Sequence, residues 1–147
     1  MPTTARADVV DGILSVLNAY RVANPTKLRR VLSKRPGGFA EVPVAYLGFL
    51  DEEIIHTSGT RQRTFAGATV IVVDNFHDSP TNHNRFDELI DGLVDAFTAS
   101  PHAVPGAVLT ITSVRDGEIS IEGQAGVNVY PSATITFGEL VIMEGRN

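Results

Sequence analysis

The chain has no cysteine among its 147 residues. Disulfides, thiolate metal centres and a cysteine nucleophile are therefore excluded, and the composition suits a reducing compartment. Long hydrophobic runs are also missing, since the longest, such as residues 70–73, fall far short of the roughly 20 apolar residues that a membrane span needs. There is no excess of positive charge. Twelve basic and 17 acidic side chains leave a net charge of −5, which argues against a surface that grips nucleic-acid phosphates throughout. DNA near such a protein is guided rather than held. The N-terminus carries Arg6 but leads into a polar-interrupted helical pattern, not an apolar stretch ending in small residues, so no secretory signal is expected. A soluble protein with no membrane association, made in a cytoplasm, is the expectation.

Signatures of chemistry are equally scarce. Gly37-Gly38 and Ser58-Gly59 do not precede a helix whose free N–H groups could cradle an anion, and they read as turns. His56 and His102 have no Asp or Ser partner at the spacing of a catalytic triad. The most enzyme-like constellation is Asp74, His77, Asp78 and His83, oxygen and imidazole groups bunched just after an expected strand. Its spacing fits no compact metal motif. The plainer reading of that stretch is a polar loop, with Asn75, Asn82 and Asn84 supplying turn and cap hydrogen bonds.

What the sequence does contain is the pattern of one folded domain. Hydrophobic residues make up 43% and charged residues 20%, close to the globular average. Val9, Val10, Ile13, Leu14, Leu17 and Tyr20 recur at three- and four-residue spacing, which predicts an amphipathic helix ending near Ala23, ahead of Asn24-Pro25. The stretch 28–34 is a short exposed strand, and its basic residues suit a sheet edge. Residues 42–50 are nearly all apolar, with Pro43 at the start, and predict a buried strand. Residues 63–74 form a long β-rich run. The polar residues between these two strands would then be the extended tip of one hairpin.

Ser79-Pro80 is a helix start, and Phe86, Leu89, Ile90, Leu93, Val94 and Phe97 mark one face of a second helix that ends before Pro101. Asp87, Glu88, Asp91 and Asp95 line its opposite face. Residues 108–114 alternate, and Asp116-Gly117 predicts a hairpin turn into a return strand carrying Ile119 and Ile121. In the last stretch the alternation changes phase at Gly138, which suggests a bulge. The order predicts an α+β fold: a two-layer sandwich with a mostly antiparallel sheet and two amphipathic helices on one face. Thr110, Thr112, Thr134 and Thr136 suggest that the other face is partly wet.

The basic cluster at 27–35, which includes Arg29, Arg30 and Arg35, has two readings. It protects an edge strand, or it contacts a DNA backbone or a neighbouring subunit, for which the acidic helix face offers a charge-complementary partner.

Several stretches together resemble the tail terminator family of long-tailed, non-contractile bacteriophages. They are the opening helix to Tyr20; Arg29-Arg30-Val31-Leu32 running into Arg35-Pro36-Gly37; Pro43-Val44-Ala45-Tyr46-Leu47-Gly48; His56-Thr57-Ser58-Gly59-Thr60-Arg61-Gln62-Arg63-Thr64; and Phe86-Asp87-Glu88-Leu89 through Asp91-Gly92-Leu93-Val94-Asp95-Ala96. The resemblance implies a structural virion protein of the tail neck and no enzyme. Its subunit would form a homo-oligomeric ring of six that caps the head-proximal end of the tail tube, stops polymerisation and joins the head-tail connector protein. DNA would pass through the lumen without specific binding, and no cofactor is implied. Other neck and connector proteins share this pattern of elements. Asp51, Glu52, Glu53, Ile54, Ile55, His56 and Arg61 in the hairpin tip, with Arg29, Arg30 and Arg35, are the candidate interface residues. Ile54 and Ile55 would be buried against a neighbouring subunit or the tube; otherwise they extend the strand pairing and fold back on the chain's own core. The reading from a different class is a small metal-dependent hydrolase using Asp74, His77 and His83. A third is a DNA-binding regulator acting through the basic cluster.

Overall fold

A computed structural model describes residues 5–39, 41–57, 59–74, 80–123 and 126–145. The order is α1 (Ala5–Ala23), β1 (Arg30–Leu32), β2 (Val44–Leu47), β3 (Asp51–Thr57), β4 (Thr60–Ala66), β5 (Thr69–Val73), α2 (Pro80–Thr98), β6 (Ile111–Gly123), β7 (Gly126–Phe137) and β8 (Leu140–Gly145). Two helices and eight strands make an α+β sandwich. Five of the six strand pairings are antiparallel, the exception being β1 with β2.

Both helices form where the apolar spacing places them. In α1 the stripe Val9, Ile13, Val16 and Leu17 is buried. The helix closes where the Asn24 backbone N–H and side-chain amide both donate to the Tyr20 carbonyl, at 2.8 and 3.1 Å. In α2 the stripe Phe86, Leu89, Ile90, Leu93 and Phe97 is buried. Ser79, the expected cap of α2, lies outside the described residues. The two stripes share one core with Ala45, Leu47, Val70, Val72, Ala133, Ile135 and Phe137. These sheet residues alternate along β2, β5 and β7, so the helices cover one face of a five-stranded sheet of order β1-β2-β5-β7-β6. Each fully buried Leu or Phe contributes about 1.5–3 kcal/mol of transfer free energy.

The other face of this sheet is divided. Phe39, from the segment after β1, folds back on it, packing with Val44, Tyr46 and Val73 and meeting the Tyr130 ring edge-on at a centroid distance of 5.0 Å. Thr110 and Thr112 are exposed and Thr134 and Thr136 half-buried, as expected of a partly wet face.

Three expectations are corrected. The run 63–74 is two strands, because at Gly67 the backbone takes φ +67°, a left-handed conformation open to glycine at little cost. β5 pairs with β2, whereas β3 and β4 pair with each other and then with β8. The presumed hairpin tip is therefore a second, three-stranded sheet of order β3-β4-β8. Asp116-Gly117 is not a turn: β6 runs straight through it, with Asp116 opposite Ala133 and Gly117 opposite Ser132. A long partner strand outweighs a local turn preference, and the chain reverses only after Gly123. The phase change at Gly138 is not a bulge in one strand but the point where the chain leaves the large sheet and enters the small one as β8. The Gly138 N–H donates to the Thr110 carbonyl at 2.8 Å at this crossing. The irregularity in the ladder lies in β6, between Ile111 and Ser113.

No helix among the described residues is long and apolar enough to cross a membrane.

Candidate functional site

The small sheet gathers most of the candidate interface residues. Strands β3 and β4 are unbroken seven-residue partners, in which Ile54 lies opposite Arg63, Ile55 opposite Gln62 and His56 opposite Arg61. Strand β8 continues the rows from the other side, with Ile142 opposite Arg63, Met143 opposite Gln62 and Val141 opposite Thr64. Successive side chains point to opposite faces. One face thus carries Glu52, Ile54, Arg63, Phe65, Leu140 and Ile142, and the other carries Glu53, Ile55, Gln62, Val141 and Met143.

The first face is the anchored one. Phe65, Leu140 and Ile142 are buried in the main core, and Glu52 makes an ion pair with Arg63, Oε1 to Nη1 at 3.1 Å. Arg6 of α1 reaches the other carboxylate oxygen of Glu52 at 3.4 Å. Glu52 is therefore committed within its own chain, unlike Asp51 and Glu53, which are exposed. Ile54 and Ile55 do extend the strand pairing, but they do not fold back on the core. They point to opposite faces and stay 46% and 42% exposed. Ser58, at the tip, lies outside the described residues.

The basic cluster does not form one surface. Arg30 pairs with Glu41 at 3.3 Å, both side chains being exposed. Arg35 reaches over the second face of the large sheet and donates to the Ser120 carbonyl at 3.4 Å. Arg29 lines a cleft of about 520 Å3 with Lys27, Pro43, Asp74 and Arg85. These arginines sit at the sheet edge formed by β1 and diverge from there.

A larger groove, about 700 Å3, opens where β2 leads towards β3. Its lining includes the apolar or aromatic Tyr46, Phe49, Ile71 and Ile119 together with the cationic Arg6, Lys34 and Arg35. Burial pushes the Tyr46 hydroxyl above its usual pKa, an effect that the nearby Arg35 guanidinium partly offsets. Neither this groove nor the exposed Phe49 in its lining is evident in the sequence, because residues from distant segments create the groove.

No protein-family model matches the chain, and no curated protein is significantly similar to it.

Of the metal-site candidates, Asp74 is buried at the end of β5, where its backbone N–H donates to the Pro131 carbonyl at 3.1 Å. His77 and Asp78 lie outside the described residues, and His83 falls in the first turn of α2. Among the described residues no group of three or more His, Asp or Glu side chains is placed to hold a metal ion. Asp74 shares its cleft with three cationic side chains, Lys27, Arg29 and Arg85, whose charge opposes the binding of a divalent cation.

Proposed function

We propose that this chain is a structural subunit of the neck of a long-tailed bacteriophage, a tail-terminator-like protein. It assembles into a ring of about six copies, as the resemblance implies, caps the head-proximal end of the tail tube and joins it to the connector. It acts by assembly and not by turnover. The observation that carries this reading is the second sheet: the polar segment expected to bear the interface forms β3 and part of β4 of a three-stranded sheet. Ile54 and Ile55 are held outwards on its two faces. Buried apolar side chains at an interface core, ringed by polar ones, are what drive subunit association. Asp51, Glu53, His56 and Arg61 supply such a surround.

A net charge of −5 suits a lumen through which DNA slides, because attraction to phosphates would retard it. The divergence of these arginines, Arg30 to Glu41, Arg35 to the Ser120 carbonyl and Arg29 into a separate cleft, argues against a continuous DNA-binding face.

The test is a tube-capping assay. Purified chain added to polymerising tail tube subunits of its own virus is expected to stop elongation and appear as a ring at one tube end by electron microscopy. Tubes that lengthen unchecked in its presence overturn the reading.

A further inference from the structure

Nine large hydrophobic side chains are exposed among the described residues, and four of them, Ile54, Ile55, Val141 and Met143, lie on β3 and β8. Those two strands are the outer strands of the small sheet. Each presents one row of backbone N–H and C=O groups that the sheet itself does not pair.

The large sheet protects its edges by short length, a bulge and charge, whereas the small one carries its edge charges only towards the strand ends, Asp51 to Glu53 on β3 and Glu144 on β8. At one side of the large sheet β1 is only three residues long and carries Arg30 paired to Glu41. At the other, β6 has a bulge after Ile111 and exposes Arg115, Asp116 and Glu118. Short strands, bulges and charges are the ordinary defences of a sheet edge against pairing with another chain. By contrast, β3 and β8 are seven and six residues long, pair with β4 in unbroken register and contain no proline or lysine. Their central residues Ile54, Ile55, Val141, Ile142 and Met143 are all apolar.

We infer that β3 of one copy pairs with β8 of a second copy, head to tail, so that the small sheet continues from subunit to subunit. The joint stands independently of the neck reading. Because β3 and β8 are both antiparallel to β4, they run parallel to each other, and a second copy in the same orientation brings its β8 parallel to β3. The rows within the sheet show what meets. Ile54, Arg63 and Ile142 share one row, and Ile55, Gln62 and Met143 the next. Repeating those rows without stagger sets Ile54 beside the second copy's Ile142 on one face and Ile55 beside its Met143 on the other. Ile54 on one face, and Ile55 and Met143 on the other, all exposed in the single chain, are covered by one set of ladder bonds.

The charges along the two edges suit this joint. Strand β3 begins Asp51-Glu52-Glu53, whereas β8 is uncharged from Leu140 through Met143. In the unstaggered rows Glu52 and Glu53 stand beside Leu140 and Val141 of the second copy, so the joint sets no like charge next to them. Symmetric pairing of two β3 strands would leave the Val141 and Met143 edge open. A head-to-tail joint uses both edges, and it yields a ring if the rotation closes or a filament if it does not.

The experiment uses Ile55→Lys and Met143→Lys, each placing a charge on one edge at an exposed position. Wild type is expected to assemble beyond a dimer by sedimentation velocity, and each variant alone to be monomeric with an unchanged thermal midpoint. An equimolar mixture of the two should form a dimer that grows no further, since one β3 edge and one β8 edge remain intact between them. The inference is overturned by a wild type that stays monomeric at every concentration, by variants that assemble as wild type does, or by Met143→Lys alone forming dimers. If a lysine variant fails to fold, the double variant Ile55→Cys, Met143→Cys replaces it, because the natural chain has no cysteine. Within one chain these positions are separated by β4, about 9–10 Å apart at two strand spacings, beyond disulfide reach. Oxidation should therefore give a covalent ladder of copies, and a monomer after oxidation overturns the inference. Rings that form with both lysine variants and still cap tubes would remove this joint and leave the neck reading intact. Wild-type rings that fail to cap tubes would do the reverse.

Discussion

Glu52 and Arg63, on neighbouring strands of the small sheet, form an ion pair at 3.1 Å with each side chain only 15% exposed. The pair ties the sheet to the core face, and Arg6 extends it to α1 at 3.4 Å. Replacing Glu52 with Gln removes the negative charge and leaves the Arg63 guanidinium largely out of water. A loss of about 1–3 kcal/mol is expected in urea unfolding. Arg6→Ala should cost no more than about 1 kcal/mol, because half of its side chain is in solvent. Equal effects from the two substitutions would show that Arg63 is not the principal partner.

Gly12 lies in the middle of α1, where Ala would ordinarily be better by about 1 kcal/mol. Here the preference is reversed. A Cβ at Gly12 would stand 2.7 Å from the Ala103 carbonyl oxygen and 2.8 Å from a Val104 methyl group. The first of these is backbone and cannot rotate away. Gly12→Ala is expected to lower stability by about 1–3 kcal/mol, measured as the shift in urea midpoint. A stabilised variant would mean that the segment around Ala103 yields freely.

Leu93 is fully buried in the stripe of α2 that covers the large sheet. Truncation to Ala should cost roughly 2–5 kcal/mol. The exposed Asp91→Ala on the opposite face should fall within about 0.5 kcal/mol of wild type. An unchanged midpoint for Leu93→Ala would contradict the packing of this helix.

Tyr20 and Tyr46 both have pKa values raised above 10.0, chiefly by burial, with the Glu88 carboxylate adding to the effect at Tyr20. In the unfolded chain each phenol ionises near 10.0, and in the fold each holds its proton to higher pH. Their contribution to stability is therefore complete below pH 10.0 and is lost as pH rises through the folded-state values. The urea midpoint should fall above that pH, and less steeply in a Tyr20→Phe, Tyr46→Phe double variant. A titration of tyrosinate absorbance in which all three tyrosines ionise together near 10.0 would refute the assignment.

The sequence alone determined the two helices, because a stripe such as Leu89, Leu93 and Phe97 buries only at helical spacing. It also determined the fold class, the edge position of the basic strand β1 and the burial of β2, whose residues are apolar on both faces. These follow from local periodicity and charge, which a linear chain displays directly. Strand partners do not. Whether the residues after Gly67 stay in the sheet of those before it depends on one left-handed backbone angle, and whether Asp116-Gly117 turns depends on the partner strand available twelve or more residues onward. The separate small sheet, the ion pair between Glu52 and Arg63 and the dispersal of Arg29, Arg30 and Arg35 are all relations between distant segments. Only the tertiary structure decided them. Two adjacent isoleucines in a polar stretch were legible as a candidate interface. That they lie on the outer strand of a sheet with both edges open follows from how β3, β4 and β8 pair, which periodicity within any one of them does not specify.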